Sequence, residues 1–258
     1  MKTIAFANNK GGVLKTSLTT NYAAVLSKKG KKILIIDSDN QNSVLSSFGK
    51  QNIAEKIGLY NLVFENANIS DAITNVYENI DVIPSGKKWN THDSEMVQRI
   101  INQDPFKRLS EIINEIKKLH QYDYILFDTE PAKSSNTFSV LLASDEVIIP
   151  FTLEFYGIRG MVEMNDYIEK AKKGNPKLKI KAMVGTKTNA RSKVEKMIRE
   201  QAKKLPEPGL CLISIPNSIS GINSISLKKL PVYLTSKNKL SQAYENLVNL
   251  LEFNIKDK

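Results

Sequence analysis

Asn8-Asn9-Lys10-Gly11-Gly12-Val13-Leu14-Lys15-Thr16-Ser17 follows a short strand-like run, Thr3-Ile4-Ala5-Phe6-Ala7, and opens a segment of helical periodicity. Strand, glycine-rich loop and helix in that order are the context a phosphate-binding loop requires. Gly11 and Gly12 let the backbone curl so that successive N–H groups converge on phosphate oxygens. The first turn of the following helix adds unpaired N–H groups, including those of Val13 to Ser17, and the positive end of its dipole. In this pattern Lys15 sits against the β- and γ-phosphates and the Thr16 hydroxyl ligates Mg²⁺. The common G-x-x-x-x-G-K-[ST] pattern fails at two positions, where Asn9 and Leu14 replace glycines. A leucine just before Lys15 is expected to keep φ negative and to turn its side chain away from the nucleotide.

Outward from the loop, short β-branched runs alternate with longer helical segments, which predicts an α/β fold, a doubly wound and mostly parallel sheet with helices on both faces. Strands are expected over Thr3–Ala7, Lys32–Asp37, Ile80–Ile83, Tyr124–Asp128, Glu146–Pro150, Ile180–Gly185 and Leu210–Ile215. The runs at Ile33–Ile36 and Tyr124–Phe127 are apolar without alternation, as strands covered on both faces are. Each ends in an acid, Asp37 and Asp128, and ligands in open α/β sheets sit beyond the carboxyl ends of strands. Helices are expected over Thr16–Lys29, in two pieces of Ser94–Leu119 split at Pro105, and over Gly160–Lys173, Arg191–Lys204 and Leu240–Glu252. With no internal repeat or linker-like stretch, residues 1–258 read as one domain.

Composition narrows the chemistry. Cys211 is the only cysteine, inside the apolar run Leu210–Ile213, which rules out an internal disulfide framework and multi-cysteine metal sites within the chain. His92 and His120, the only histidines, stand in no metal-ligand pattern. No apolar run approaches the roughly 20 residues that span a bilayer, and the cytoplasm is the expected location. The formal net charge of +10 favours polyanionic partners. Much of it falls between Tyr167 and Lys204, which hold thirteen Lys or Arg and three Glu. Solvated helix faces are the ordinary explanation of such runs, and nucleic acid is the alternative.

The loop with its additional Lys10 resembles the deviant Walker-A loop K-G-G-x-G-K-[ST] of ParA-type ATPases, which partition plasmids and chromosomes. Three further segments extend the resemblance over almost the whole chain: Ile33 to Asn42 with its Asp37-Ser38-Asp39-Asn40-Gln41, Tyr122 to Pro131 with its Asp128-Thr129-Glu130-Pro131, and Val147 to Gly160 running from strand into helix. A fourth, Ile215-Pro216-Asn217 with Lys229-Leu230-Pro231-Val232, is looser. The resemblance implies an ATPase with ATP and Mg²⁺ as its ligands. Lys10 is implied to reach the partner subunit's nucleotide across an ATP-dependent homodimer, in the manner of an arginine finger in trans. It implies that Asp39 positions the attacking water, that Asp37 orders the metal shell and that Asp128 holds Mg²⁺ mostly through water. Thr186, Pro216 and Asn217 are implied to lie near the adenine. Glu130 stands where the family has proline or a neutral residue, and Leu14 makes slow turnover an expectation.

The same resemblance implies that ATP-bound dimers bind DNA non-specifically and associate with the nucleoid. The candidate contacts are Arg191, Lys193, Lys196, Arg199, Lys203 and Lys204, with Lys228 and Lys229, and a centromere-binding, ParB-like adaptor is the implied partner. No helix-turn-helix is expected ahead of the loop. Two alternatives stand beside this reading. A MinD-like membrane-associated ATPase calls for an exposed apolar face on the terminal helix, where Leu240, Tyr244, Leu247, Leu250 and Leu251 recur at helical spacing. A non-catalytic nucleotide-gated scaffold is motivated by Leu14. Stable membrane insertion is not expected, and an iron–sulfur reductase lacks its cysteines.

Overall fold

A computed structural model describes residues 1–53, 57–86, 105–189, 191–202 and 213–255. In chain order the strands and helices are β1 (Lys2–Phe6), α1 (Lys15–Lys28), β2 (Ile33–Ser38), α2 (Ser43–Ser47), α3 (Leu59–Phe64), α4 (Ile69–Ala72), β3 (Thr74–Tyr77) and β4 (Ile80–Ile83). They continue with α5 (Pro105–Lys118), β5 (Tyr124–Thr129), α6 (Ser135–Leu142), β6 (Glu146–Thr152), α7 (Phe155–Lys172), β7 (Lys179–Thr186) and α8 (Lys193–Ala202). Then come α9 (Ile219–Asn223), a π-helical turn at Ser224–Lys228, α10 (Val232–Thr235) and α11 (Lys239–Phe253).

The strands form one sheet in the order β3-β4-β2-β5-β1-β6-β7, parallel throughout except for the antiparallel edge pair β3–β4. β1 lies between β5 and β6, and β2 pairs with β5 so that Asp37 is directly opposite Asp128. The two acids and the loop after β1 therefore share one end of the sheet. β2 and β5 are buried along their whole length, which explains their unbroken apolar runs.

One apolar cluster lies under α3, α5, α6 and α7; the other lies under α1, α2 and α11. α1 buries Leu18, Tyr22, Val25 and Leu26 completely, each contributing roughly 1.5–3 kcal/mol. On α11, Leu240, Tyr244 and Leu247 are buried, and Leu250 and Leu251 pack against the same cluster. Core packing accounts for that stripe, so α11 does not present it as an exposed apolar face. No helix among the described residues is long and apolar enough to cross a membrane. At its far end α11 is clasped to the sheet. The Glu252 carboxylate accepts from Tyr22 Oη (2.6 Å) and Tyr124 Oη (3.1 Å), and is paired with Lys2 (3.0 Å) and Lys181 (3.1 Å).

Several boundaries differ from the sequence-based expectation. α7 starts at Phe155 rather than Gly160, because Gly160 is an interior position that lets the helix approach the loop after β1. Ile213–Ile215 is not a strand. Ile215 still donates its N–H to Gly185 O, and Pro216 forms an isolated bridge with Thr188. The expected helical piece from Ser94 to Asp104, His92, and Leu210 to Leu212 with Cys211 lie outside the described residues.

Candidate phosphate and metal site

The loop after β1 is held from three sides. Asn8 is buried, donates from Nδ2 to Pro150 O (2.7 Å) and accepts at Oδ1 from Lys10 N (2.9 Å). Thr186 Oγ1 donates to Val13 O and to Phe151 O, both at 3.1 Å. Pro131, in the loop after β5, approaches Gly11. Lys15 Nζ donates to Asn8 O and Lys10 O, both at 3.1 Å, closing the loop on itself. Burial lowers the Lys15 pKa, opposed by the charges of Asp128, Asp39 and Glu130.

Leu14 corrects one expectation. Its φ is +64° with ψ 32°, the left-handed region, not the negative φ expected for leucine. It takes the conformation that the replaced glycine would adopt freely, at a cost of roughly 1–2 kcal/mol. The side chain packs against the apolar cluster of α1 and α11 and lines the cavity that also holds Pro216 and Asn217. Partial burial there offsets the strain. Leu14 O accepts from Leu18 N (2.8 Å), so helix α1 starts without distortion.

The acids converge beside the loop. Asp128 Oδ2 accepts from Thr16 Oγ1 at 2.6 Å, and Oδ1 from Thr19 Oγ1 at 3.3 Å. Burial pushes the Asp128 carboxyl up to about 7, against the Thr16 hydrogen bond and the Lys15 charge. Asp37 is fully buried and its pKa is raised well above the carboxylate range, first by burial and then by Asp128. It accepts from Asp39 N and Val44 N, both at 3.0 Å, which ties it to the start of α2. Asp39 Oδ1 accepts from Gln41 N at 3.1 Å. Two buried carboxylates with raised pKa values are short of a positive charge. With Thr16 they form a hard-oxygen donor set that fits Mg²⁺, an ion usually held by one or two carboxylates plus substrate phosphates. No group of three or more His, Cys, Asp or Glu that could hold a metal by itself occurs among the described residues.

Two cavities flank the loop. One, of about 320 Å³, is lined by Leu14, Ser17, Pro216 and Asn217 with Tyr244 and Lys187. The other, of about 410 Å³, is lined by Lys10, Gly11, Gly12, Glu154, Lys187 and Glu195. Pro216 and Asn217 thus line the cavity next to the loop. Thr186, expected near a base, is instead buried beneath the loop, because both carbonyls that its hydroxyl serves lie there. Asn8 and Glu154 lie in segments that the sequence singled out but without a role assigned to either, and nothing in the sequence marks Lys187. Lys10 Nζ is paired with Glu154 at 2.6 Å and reaches Thr152 Oγ1 at 3.3 Å within its own chain.

Of the basic candidates, Arg191, Lys193 and Lys196 are exposed at the start of α8, and Lys228 and Lys229 are exposed at the end of the π-helical turn. Arg199 lies in α8, while its side chain, Lys203 and Lys204 fall outside the described residues.

A parallel sheet whose first strand feeds a phosphate-binding loop, with acids at the two strand ends beside it, defines a P-loop NTPase, and the AAA domain family matches residues 1–180. The chain belongs to the ParA/MinD superfamily of deviant Walker-A proteins. The sporulation initiation inhibitor protein Soj of Bacillus subtilis is 30% identical over 220 residues, covering 84% of this chain and 85% of Soj. A plasmid partition protein from Borrelia burgdorferi superposes with a TM-score of 0.77 at 26% identity, covering 98% of this chain and 99% of that one. A structure from Borrelia burgdorferi B31 bound to AMPPNP gives a TM-score of 0.82, with the same identity and coverage.

Proposed function

We propose that this chain is a ParA-like partition ATPase that binds ATP with Mg²⁺, dimerises around the nucleotide and binds DNA without sequence preference. The observation carrying this reading is the contact of Thr16 with Asp128, 2.6 Å, beside a Lys15 whose ammonium is spent only on loop carbonyls. Each of these groups is held ready by weak internal contacts that phosphate and metal would replace. The AMPPNP carried by the Borrelia structure and the likeness to Soj support the nucleotide and the family role.

In this reading the loop N–H groups and Lys15 bind the β- and γ-phosphates. Thr16, Asp128 and, behind them, Asp37 would hold Mg²⁺, which would supply charge neutralisation for the bound phosphates. Asp39 orients the attacking water. Lys10 leaves Glu154 and crosses to the partner subunit's nucleotide. DNA is held by Arg191, Lys193, Lys196, Lys228 and Lys229, with Arg199, Lys203 and Lys204 continuing the basic run, and a ParB-like adaptor stimulates turnover. Leu14 in the glycine conformation leaves the loop's amides able to converge, which favours binding over a collapsed loop.

Titration with labelled ATP and measurement of released phosphate test the reading. Saturable binding that Lys15→Ala abolishes, and DNA retardation that requires ATP and weakens steeply with salt, are the expected results. Absence of retardation at low salt would remove the nucleoid-carrier part, and absence of ATP binding would remove the whole.

A further inference from the structure

Lys187 follows β7 directly, and none of the chemistry above uses it. Its φ is +53°, left-handed, a conformation that a lysine side chain does nothing to stabilise. Both neighbours are clamped. Thr186 is bonded to Val13 O and Phe151 O; Thr188 donates its N–H to Ile215 O (3.1 Å) and accepts from Asn217 N (3.0 Å). Strain imposed from both sides at a cleft is a signature of function.

The ammonium's position supports that reading. Lys187 Nζ lies 3.8 Å from the point a Cβ on Gly12 would occupy, and Lys187 lines both cavities that flank the loop. Among the described residues its ammonium makes no hydrogen bond or ion pair. The two acids lining the same cavity are already engaged: Glu154 with Lys10 and Thr152, Glu195 with Asn189 N at 2.9 and 3.0 Å. A cation without a hydrogen bond or ion pair among the described residues, its charge felt only at longer range by Glu154, therefore stands at the rim of the phosphate-binding loop, beside the cavity of Pro216 and Asn217.

We propose that Lys187 is a further nucleotide-binding residue, acting within its own chain, whose ammonium holds the phosphate portion of a nucleotide seated on Gly11–Lys15. The proposal rests on the nucleotide reading above. Lys15 and Lys10 are tied to partners before the nucleotide arrives, whereas Lys187 makes no hydrogen bond or ion pair among the described residues, so it supplies the charge that first draws the phosphates in.

Fluorescent ATP and ADP titrated into the full chain at low and high salt test this. Lys187→Asn removes the charge but keeps a residue that tolerates the left-handed region, and Lys187→Arg keeps the charge. Lys187→Asn is expected to weaken both nucleotides about five- to tenfold and to flatten the salt dependence. Lys187→Arg should stay within about twofold of the unmutated protein, and thermal unfolding without nucleotide should be the same for all three. If the unmutated protein binds and Lys187→Asn matches it within about twofold, the assignment to Lys187 fails alone. If Lys187→Arg loses as much as Lys187→Asn, the charge is not what acts, and the assignment fails. If the unmutated protein binds neither nucleotide, it falls together with the nucleotide reading.

Discussion

Leu14 and Asp128 each keep an unfavourable state for the sake of the loop. At Leu14 the left-handed backbone costs roughly 1–2 kcal/mol and partial burial of the side chain returns a similar amount. Leu14→Gly removes both terms, so its thermal midpoint should stay within about 4 °C of the unmutated protein. Leu14→Val puts a β-branched residue at positive φ and should cost on the order of 2–3 kcal/mol, read by denaturant unfolding. Equal stability of the two variants would contradict the left-handed assignment. Asp128 makes the pH prediction. Its carboxyl is raised from 3.8 to about 7, so between those values the folded chain holds a proton that the unfolded chain has released. Stability contributed by this group is full below 3.8 and is lost as pH rises toward 7, by an amount on the order of a few kcal/mol. Asp128→Asn should therefore gain on the unmutated protein as pH rises through that window in Mg²⁺-free buffer. Unfolding curves for the two proteins across the window check it, and a constant difference would refute it. Both residues were visible in the sequence. Asp128 declared its place by ending an apolar run, but leucine carries no sign of a positive φ, which the surrounding loop imposes.

At the scale of elements, legibility followed length and burial. β2 and β5 are buried throughout and announce themselves as apolar runs. β3, four residues on the antiparallel edge, has only one buried position and no periodicity to detect. The short helices α2, α3 and α4 are set by contacts from other elements, which no local pattern encodes. α3 is the plainest case. Leu59 N and Tyr60 N donate to Pro84 O (2.8 Å) and Ser85 O (3.0 Å), just past β4, and this approach is possible because residue 58 is glycine. A Cβ at Gly58 would fall 2.6 Å from Pro84 O and 2.7 Å from Gly86 N, both backbone atoms with little freedom to yield. Gly58→Ala is thus expected to destabilise the protein by about 1–3 kcal/mol, through displacement of α3 from the sheet end, while leaving the loop residues Asn8–Ser17 unaltered. Chemical denaturation should register the loss; a variant as stable as the parent would mean the α3 approach is looser than these distances.

Across the whole molecule, the dimer proposed above would require the monomer to give up a contact of its own. The sequence marked Lys10 as the residue implied to act in trans, but it could not reveal that the same lysine is engaged within its own chain. That contact joins segments more than a hundred residues apart, the loop after β1 and the turn between β6 and α7. Lys10 and Glu154 meet at 2.6 Å, yet their side chains are 30% and 58% exposed. An exposed pair of this kind is worth no more than about 1 kcal/mol, so it can bias Lys10 toward its own chain but cannot hold it there against a partner's nucleotide. The pair is therefore a light latch rather than a lock. Glu154→Gln keeps the side chain's shape and weakens the attraction. It is expected to raise ATP-dependent dimerisation and basal phosphate release, by at most about fivefold, the equivalent of that 1 kcal/mol. Lys10→Ala, by contrast, should abolish turnover while leaving ATP binding by the monomer close to unchanged, because Lys15 and the loop amides remain. Sedimentation with ATP and a phosphate-release assay on both variants separate the cases. A Glu154→Gln protein that dimerises less than its parent would mean that Glu154 serves the assembled dimer instead of restraining the monomer.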